Sequence, residues 1–222
     1  MVPVDAGRHA LEACAFCRTN LLGRADAFGD GDRISPCCTR ECSHGDLIYR
    51  QGQPGTNLYS VCRGLVKLDQ RLPDGGVRTV RLLRPGCVFG LEVMADSPCH
   101  HSARSVGRSK VCLIPVRTIR ELAEHAPSMH GELMNEWCRA LDEADFVISQ
   151  LSTGAARQRV MSLLEHLCNA GDAGSMCQAP PRDDMASLLG LTPETISRTI
   201  ASLKREGTLR EGGGVFTIDR DQ

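Results

Sequence analysis

The chain contains no run of eighteen apolar residues, so nothing in it reads as a membrane span. It has no excess of either charge: 26 Lys and Arg stand against 27 Asp and Glu in 222 residues, a formal net charge of −1. From residue 155 onward eight basic residues face nine acidic ones, which excludes a broad basic footprint from that stretch. Aromatic residues amount to only 4%. The opening residues lack the apolar core of a secretory signal, because Asp5, Arg8, His9 and Glu12 interrupt them, and a cytoplasmic location is expected. No phosphate-binding loop and no Ser/His/Asp arrangement is present, which argues against an enzyme.

What the chain does have is cysteine, twelve in all. In a reducing compartment these are metal ligands or redox sensors before they are structural bridges. Cys14-Ala15-Phe16-Cys17 places two thiols close enough to grip one metal or cluster, and Cys37, Cys38 and Cys42 follow after a gap. Thiolates hold iron–sulfur clusters by fours, while a closed tetrahedral thiolate set suits zinc and a dithiol suits a redox switch. A thiol oxidoreductase using Cys14 and Cys17 is the enzymatic alternative, but the pair is not placed at a helix start after a strand. Cys62, Cys138 and Cys168 sit among apolar neighbours and read as small buried hydrophobes.

The C-terminal third carries the sharpest local signal. Thr192 is an N-cap, Pro193 has its φ set for the first helical position, and Ile196, Ile200 and Leu203 share one apolar stripe. Glu194, Thr195, Ser197 and Arg198 then fall in the first turns, with Glu194, Ser197 and Arg198 off that stripe. Arg198 can fork onto guanine O6 and N7, and Glu194 can accept from the exocyclic amine of cytosine. Upstream, residues 182–189 form a short amphipathic helix with Gly190-Leu191 as the turn; downstream, two short strands flank a glycine turn at Gly212-Gly213-Gly214. Together these predict a winged helix-turn-helix over residues 154–222.

Before it, residues 44–126 show short β-rich runs punctuated by Gly45, Gly52, Gly64, Gly75-Gly76, Gly86 and Gly90, the pattern of an all-β roll or sandwich. Residues 127–153 then read as one long helix. Leu133, Trp137, Leu141, Ala144, Ile148 and Leu151 recur at three- and four-residue steps, which suits either packing on the β-domain or a dimer seam; two half-site readers favour the seam.

The order β-roll, long helix, winged helix-turn-helix resembles the CRP/FNR family of transcription regulators over nearly the whole chain. The β-roll pattern stands here as His44-Gly45-Asp46-Leu47-Ile48-Tyr49-Arg50-Gln51-Gly52 and as Pro85-Gly86-Cys87-Val88-Phe89-Gly90. The resemblance implies an α+β fold: a cysteine-rich N-terminal segment (residues 1–43), a cyclic-nucleotide-binding-like β-roll, a dimerisation helix and the DNA-binding domain. It implies a homodimer on double-stranded DNA that meets RNA polymerase, with the Asp74-Gly75-Gly76 hairpin as a contact or a plain turn.

The segment around Glu194, Ser197 and Arg198 is similar to the FNR branch, which implies TTGAT-like half-sites. In that branch N-terminal cysteines and one internal cysteine, here Cys112, hold an oxygen-sensitive [4Fe–4S] cluster. The set implied is Cys14, Cys17, Cys37 and Cys112, with Cys38 or Cys42 as alternates. Cyclic-nucleotide members hold the phosphate through an Arg-Ser pair where this chain has His101-Ser102, and neutral histidine is a poor substitute for a fixed cation, which argues against cAMP even though Glu92 stands at the ribose position. A haem or nitric-oxide sensor would draw on His44, His100, His101 or Met94.

Overall fold

Two apolar cores, joined by one long helix, organise the chain, and a computed structural model describes residues 4–6, 12, 14–19, 37–168 and 176–219. Residues 20–35, the glycine- and aspartate-rich segment after Cys17, lie outside the described residues. The first core belongs to a seven-stranded antiparallel sheet. Its strands are β1 (Val4–Ala6), β2 (Cys38–Cys42), β3 (Leu47–Tyr49), β4 (Asn57–Arg71), β5 (Val77–Leu83), β6 (Val88–Phe89) and β7 (Ser102–Pro115). The main path runs β1-β2-β7-β4-β5, with β3 added to β7 and β6 to β4. The sheet therefore takes in residues 38–42, ahead of the boundary expected at residue 44.

The punctuation expected at Gly64 does not divide the chain there: residues on both sides of it form one continuous strand, β4, paired with the long β7. Gly64 is the reason. It has a φ of +79° and sits at register shifts in the β4–β7 ladder, not in a turn between strands. A Cβ there would meet the Arg108 carbonyl oxygen at 2.4 Å, so only glycine lets β7 pass this close. A short 3-10 helix (Leu91–Ala95) also interrupts the β-rich stretch.

Helix α1 (Val116–His125) follows β7 directly, and α2 (Ser128–Phe146) continues through a π-type turn (Val147–Leu151). The predicted apolar stripe divides. Leu133 is 4% exposed in the first core and Leu151 is 1% exposed in the second, whereas Trp137, Leu141 and Ile148 are exposed, joined by Met134, and Ala144 is half-buried. Cys138 is corrected from buried to exposed. It lies five residues beyond Leu133, well over a third of a turn away from the buried face.

The second core is the C-terminal domain: α3 (Ala156–Cys168), β8 (Met176–Gln178), α4 (Arg182–Leu189), α5 (Pro193–Arg205), β9 (Leu209–Gly212) and β10 (Val215–Ile218). Thr192 caps α5 by accepting from the Thr195 N–H at 3.2 Å, and Gly190 ends α4 in the left-handed region with φ +62°. Ile196, Ile200 and Leu203 are buried as their spacing predicts. β9 and β10 make the wing, and β8, which carries no strand signal of its own, adds to β10 as a third strand. Leu65, Leu82 and Val106 of the β-roll share this core, so the two domains are docked.

Candidate functional site

Period-two alternation decides which cysteines meet. Thr39 of β2 is opposite Cys112 of β7, and both are almost fully buried. Cys37 is two residues before Thr39 and points to the same side, buried to 2% exposure, while Cys38 points away and is half-buried. Cys42 is an odd number of residues from Thr39, and its Sγ lies 3.9 Å from the Arg40 carbonyl. Over this inner patch sits a single helical turn, Ala15–Cys17, with Cys14 as its cap; the Cys14 sulfur accepts from the Cys17 N–H at 3.4 Å.

The sulfurs of Cys14, Cys17 and Cys112 lie within 4.8 Å of one another, all buried, and Cys17 Sγ is 3.6 Å from Cys112 Sγ. Their acidities divide accordingly. Hydrogen bonds from Cys112, Cys17 and Cys62 hold the Cys14 thiol far below its usual value, and hydrogen bonds from Cys112 and Cys17 bring Cys37 down to about 5. Cys112 and Cys17 are raised in return, Cys17 by its bonds to Cys112 and Cys14, and Cys112 first by its bond to Cys14. The sulfurs thus share protons in a buried nest, a setting whose thiolate form a metal centre would stabilise. The three converging sulfurs fit a thiolate-held centre, and buried Cys37 stands beside Cys17 and Cys112.

Cys62 belongs beside this nest. It is half-buried on β4 next to Cys14, and its thiol is raised by that contact and by burial. Nothing in its local sequence signals this, because the contact depends on the β4–β7 pairing.

Just before β7, His101 is half-buried and its Nδ1 has no hydrogen-bond partner among the described residues. Burial and then Arg81 hold the imidazole below its ordinary pKa, so the ring is neutral at neutral pH. Ser102 Oγ accepts from the Gln51 N–H at 3.0 Å, and Glu92 accepts from the His100 N–H at 3.0 Å. The other histidine donors are engaged separately: His44 Nδ1 accepts from Gly107 N–H, and His100 pairs with Ser97.

In the C-terminal domain Glu194, Ser197 and Arg198 are exposed on α5, and Thr195 is half-buried beneath them. The Glu194 carboxyl is held below its ordinary value by its own backbone N–H and by Thr192, as expected at a helix N-terminus. The wing is braced to the helices: Arg182 pairs with Glu211 at 2.6 Å and lies over the Phe216 ring, and Lys204 reaches the same carboxylate at 3.2 Å.

The docking of the two domains centres on α4 against β5. Lys67 of β4 bonds Asp184 at 2.7 Å and lies 3.6 Å from Asp69, and Ser187 Oγ accepts from the Thr79 N–H at 3.0 Å. Nearby, Arg84 of the β-roll joins Glu143 of α2 at 3.0 Å and the His166 carbonyl of α3 at 2.8 Å, while His166 Nε2 meets Glu143 at 3.0 Å. One three-residue knot thus ties the β-roll, the long helix and the C-terminal domain together.

Among the described residues no helix is long and apolar enough to cross a membrane. Residues 39–126 match the cyclic nucleotide-binding domain family, and residues 158–222 match the Crp-like helix-turn-helix domain family. The chain is 31% identical to the cyclic AMP receptor protein of Thermus thermophilus over 175 residues, covering 78% of this chain and 80% of that one. It is 26% identical to the transcriptional activator protein anr of Pseudomonas aeruginosa, covering 81% of this chain and 76% of the other. Its fold matches FixK2 from Bradyrhizobium japonicum with a TM-score of 0.74 at 24% identity, over 83% of this chain and 93% of that one. With a cyclic-nucleotide-type β-roll, a Crp-like reading head and relatives that regulate transcription, this chain belongs to the CRP/FNR family of DNA-binding transcription regulators and is not an enzyme.

Proposed function

We propose that this regulator senses oxygen or redox state through a [4Fe–4S] cluster held by Cys14, Cys17, Cys37 and Cys112, and binds TTGAT-like half-sites as a cytoplasmic homodimer. The convergence of buried Cys14, Cys17 and Cys112 sulfurs within 4.8 Å carries this reading, and Cys37, buried beside Cys17 and Cys112, is the proposed fourth donor. When bound, the cluster supplies redox chemistry; the protein supplies its thiolates, a dry setting and a mechanical link. The turn bearing Cys14 and Cys17 shares one apolar core with Met129 and Leu133 of α2. Releasing the turn loosens the packing under the long helix and shifts the population in which two exposed Trp137, Leu141 and Ile148 stripes pair. Paired protomers would set two α5 helices about 34 Å apart, one per major groove. The exposed Asp74-Gly75-Gly76 turn is the candidate contact for RNA polymerase.

A cyclic nucleotide is not the effector in this reading, since neutral His101 replaces the phosphate-binding cation. Zinc is the second reading, because the 3.6 Å between Cys17 and Cys112 sulfurs is close to the edge of about 3.8 Å in a tetrahedron with Zn–S bonds of about 2.3 Å. Binding to a DNA duplex carrying two TTGAT half-sites, measured without oxygen and after air exposure, separates a sensor from a structural zinc protein. Equal affinity in both conditions removes the oxygen-sensing reading.

A further inference from the structure

A second thiol pair lies in the DNA-binding domain, apart from the nest. Cys168 ends α3 and Cys177 is the middle residue of β8, and their sulfurs are 2.7 Å apart. Cys168 is fully buried and Cys177 half-buried. Both positions are fixed by their elements. Leu163, Leu164 and Leu167 anchor α3 in the core, and Cys177 is paired across the sheet with Phe216, itself fully buried. On either side of Cys177, Met176 is 47% exposed and Gln178 reaches the β-roll, its Nε2 donating to the Val106 carbonyl at 3.4 Å. The three-residue strand therefore touches the helix, the wing and the sensor sheet at once.

We propose that Cys168 and Cys177 form a redox modification site, closed to an intramolecular disulfide by a low-molecular-weight disulfide such as oxidised glutathione. The Cys177 thiolate, having given its proton to solvent, attacks one sulfur of the reagent. The reagent's S–S bond breaks, one thiolate leaves, and a mixed disulfide forms on Cys177. Cys168 then loses its proton and attacks the Cys177 sulfur, expelling the second reagent thiolate; the two departing thiolates take up the two protons, so the protein loses two electrons and two protons while one disulfide is reduced to two thiols.

The product pins the end of α3 to the strand that braces the wing. Burial and the neighbouring Cys168 raise the Cys177 thiol, so its reaction accelerates as the pH rises. The site is independent of any metal in the nest, since none of the nest cysteines takes part.

The test uses the full chain treated with oxidised glutathione, alkylated and cleaved with trypsin. No Lys or Arg lies between Arg159 and Arg182, so both cysteines fall on one peptide, residues 160–182. The expected peptide is lighter by two hydrogens and takes no alkyl group until reductant is added. In Cys168→Ala the same peptide carries a glutathione adduct on Cys177 instead, and exposed Cys138 carries one in both proteins as the measure of reagent access. Alkylation of both thiols under conditions that modify Cys138, or a rate that is flat with pH, overturns the proposal.

Discussion

The sulfurs of Cys17 and Cys112 meet at 3.6 Å although 95 residues separate them. Cys112 is fixed by the centre of the sheet, between β2 and β4, whereas Cys17 rides on one short helical turn packed on the first core. A bond between the two through a shared metal would therefore order the turn far more than the sheet, and its loss would free the turn first.

Substitution of the four nest cysteines should separate them from their neighbours. Cys112→Ser and Cys37→Ser are expected to abolish retention of iron in anaerobically purified protein while the secondary structure stays intact. Cys38→Ser, on the opposite face of β2, is expected to retain it. Circular dichroism and metal content check both; iron held by Cys37→Ser and lost from Cys38→Ser would reassign the fourth ligand.

At the reading face, Arg198→Ala is expected to cost about 1–3 kcal/mol on a cognate half-site and little on unrelated sequence. Titration of both duplexes at one salt concentration measures the difference. An equal loss on each makes Arg198 a phosphate contact.

Leu141 and Ile148 are 62% and 65% exposed on the outer face of the long helix. A charge there, Leu141→Glu or Ile148→Glu, is expected to leave the protomer folded, produce a monomer in sedimentation, and weaken binding to a two-half-site duplex by about a hundredfold or more through lost bivalency. A dimer that survives both changes would move the seam elsewhere.

Lys67 pairs with two buried carboxylates at the joint between the domains, Asp184 and Asp69, the latter also 3.9 Å from Arg104. Lys67→Met leaves both without their ammonium and is expected to lower stability by about 3 kcal/mol. Adding Asp184→Asn should recover part of that loss. Urea unfolding of the single and double variants reads the coupling, and simple additivity would show that the two side chains act independently.

The Arg84–Glu143–His166 knot gives the fold an acid limit. Burial pushes the Glu143 carboxyl up, but His166 and Arg84 outweigh it and hold the group below its ordinary value of 4.5. A depressed carboxylate contributes stability that is complete above about pH 4.5 and is lost as the pH falls through the lower folded value. Glu143→Gln is expected to flatten the fall in urea midpoint across that window while lowering the midpoint at neutral pH. An unchanged pH profile would mean that other carboxylates set the limit.

The reading head was legible because its signals are local: a capping threonine, a proline at the first helical position, a stripe at helical spacing and a glycine turn each act within a few residues. The β-roll was legible as a class but not in its strand count, since Gly64 inside a bulged strand looks the same in sequence as a glycine in a turn. Cys37 and Cys38 differ only by strand parity, which the register with β7 sets. The exposure of Cys138, the splitting of the helix stripe at Leu133 and Leu151, the nearness of Cys62 to Cys14 and the pairing of Cys168 with Cys177 all depend on contacts between distant segments, so no local pattern announces them.

The most direct test is elemental analysis of protein purified without oxygen. The nest of Cys14, Cys17, Cys37 and Cys112 is predicted to yield about four iron atoms and about four acid-labile sulfides per chain, lost together on exposure to air with a parallel loss of DNA affinity. A colourless, iron-free protein that binds the same duplex equally well before and after air exposure, with or without one zinc per chain, would contradict it.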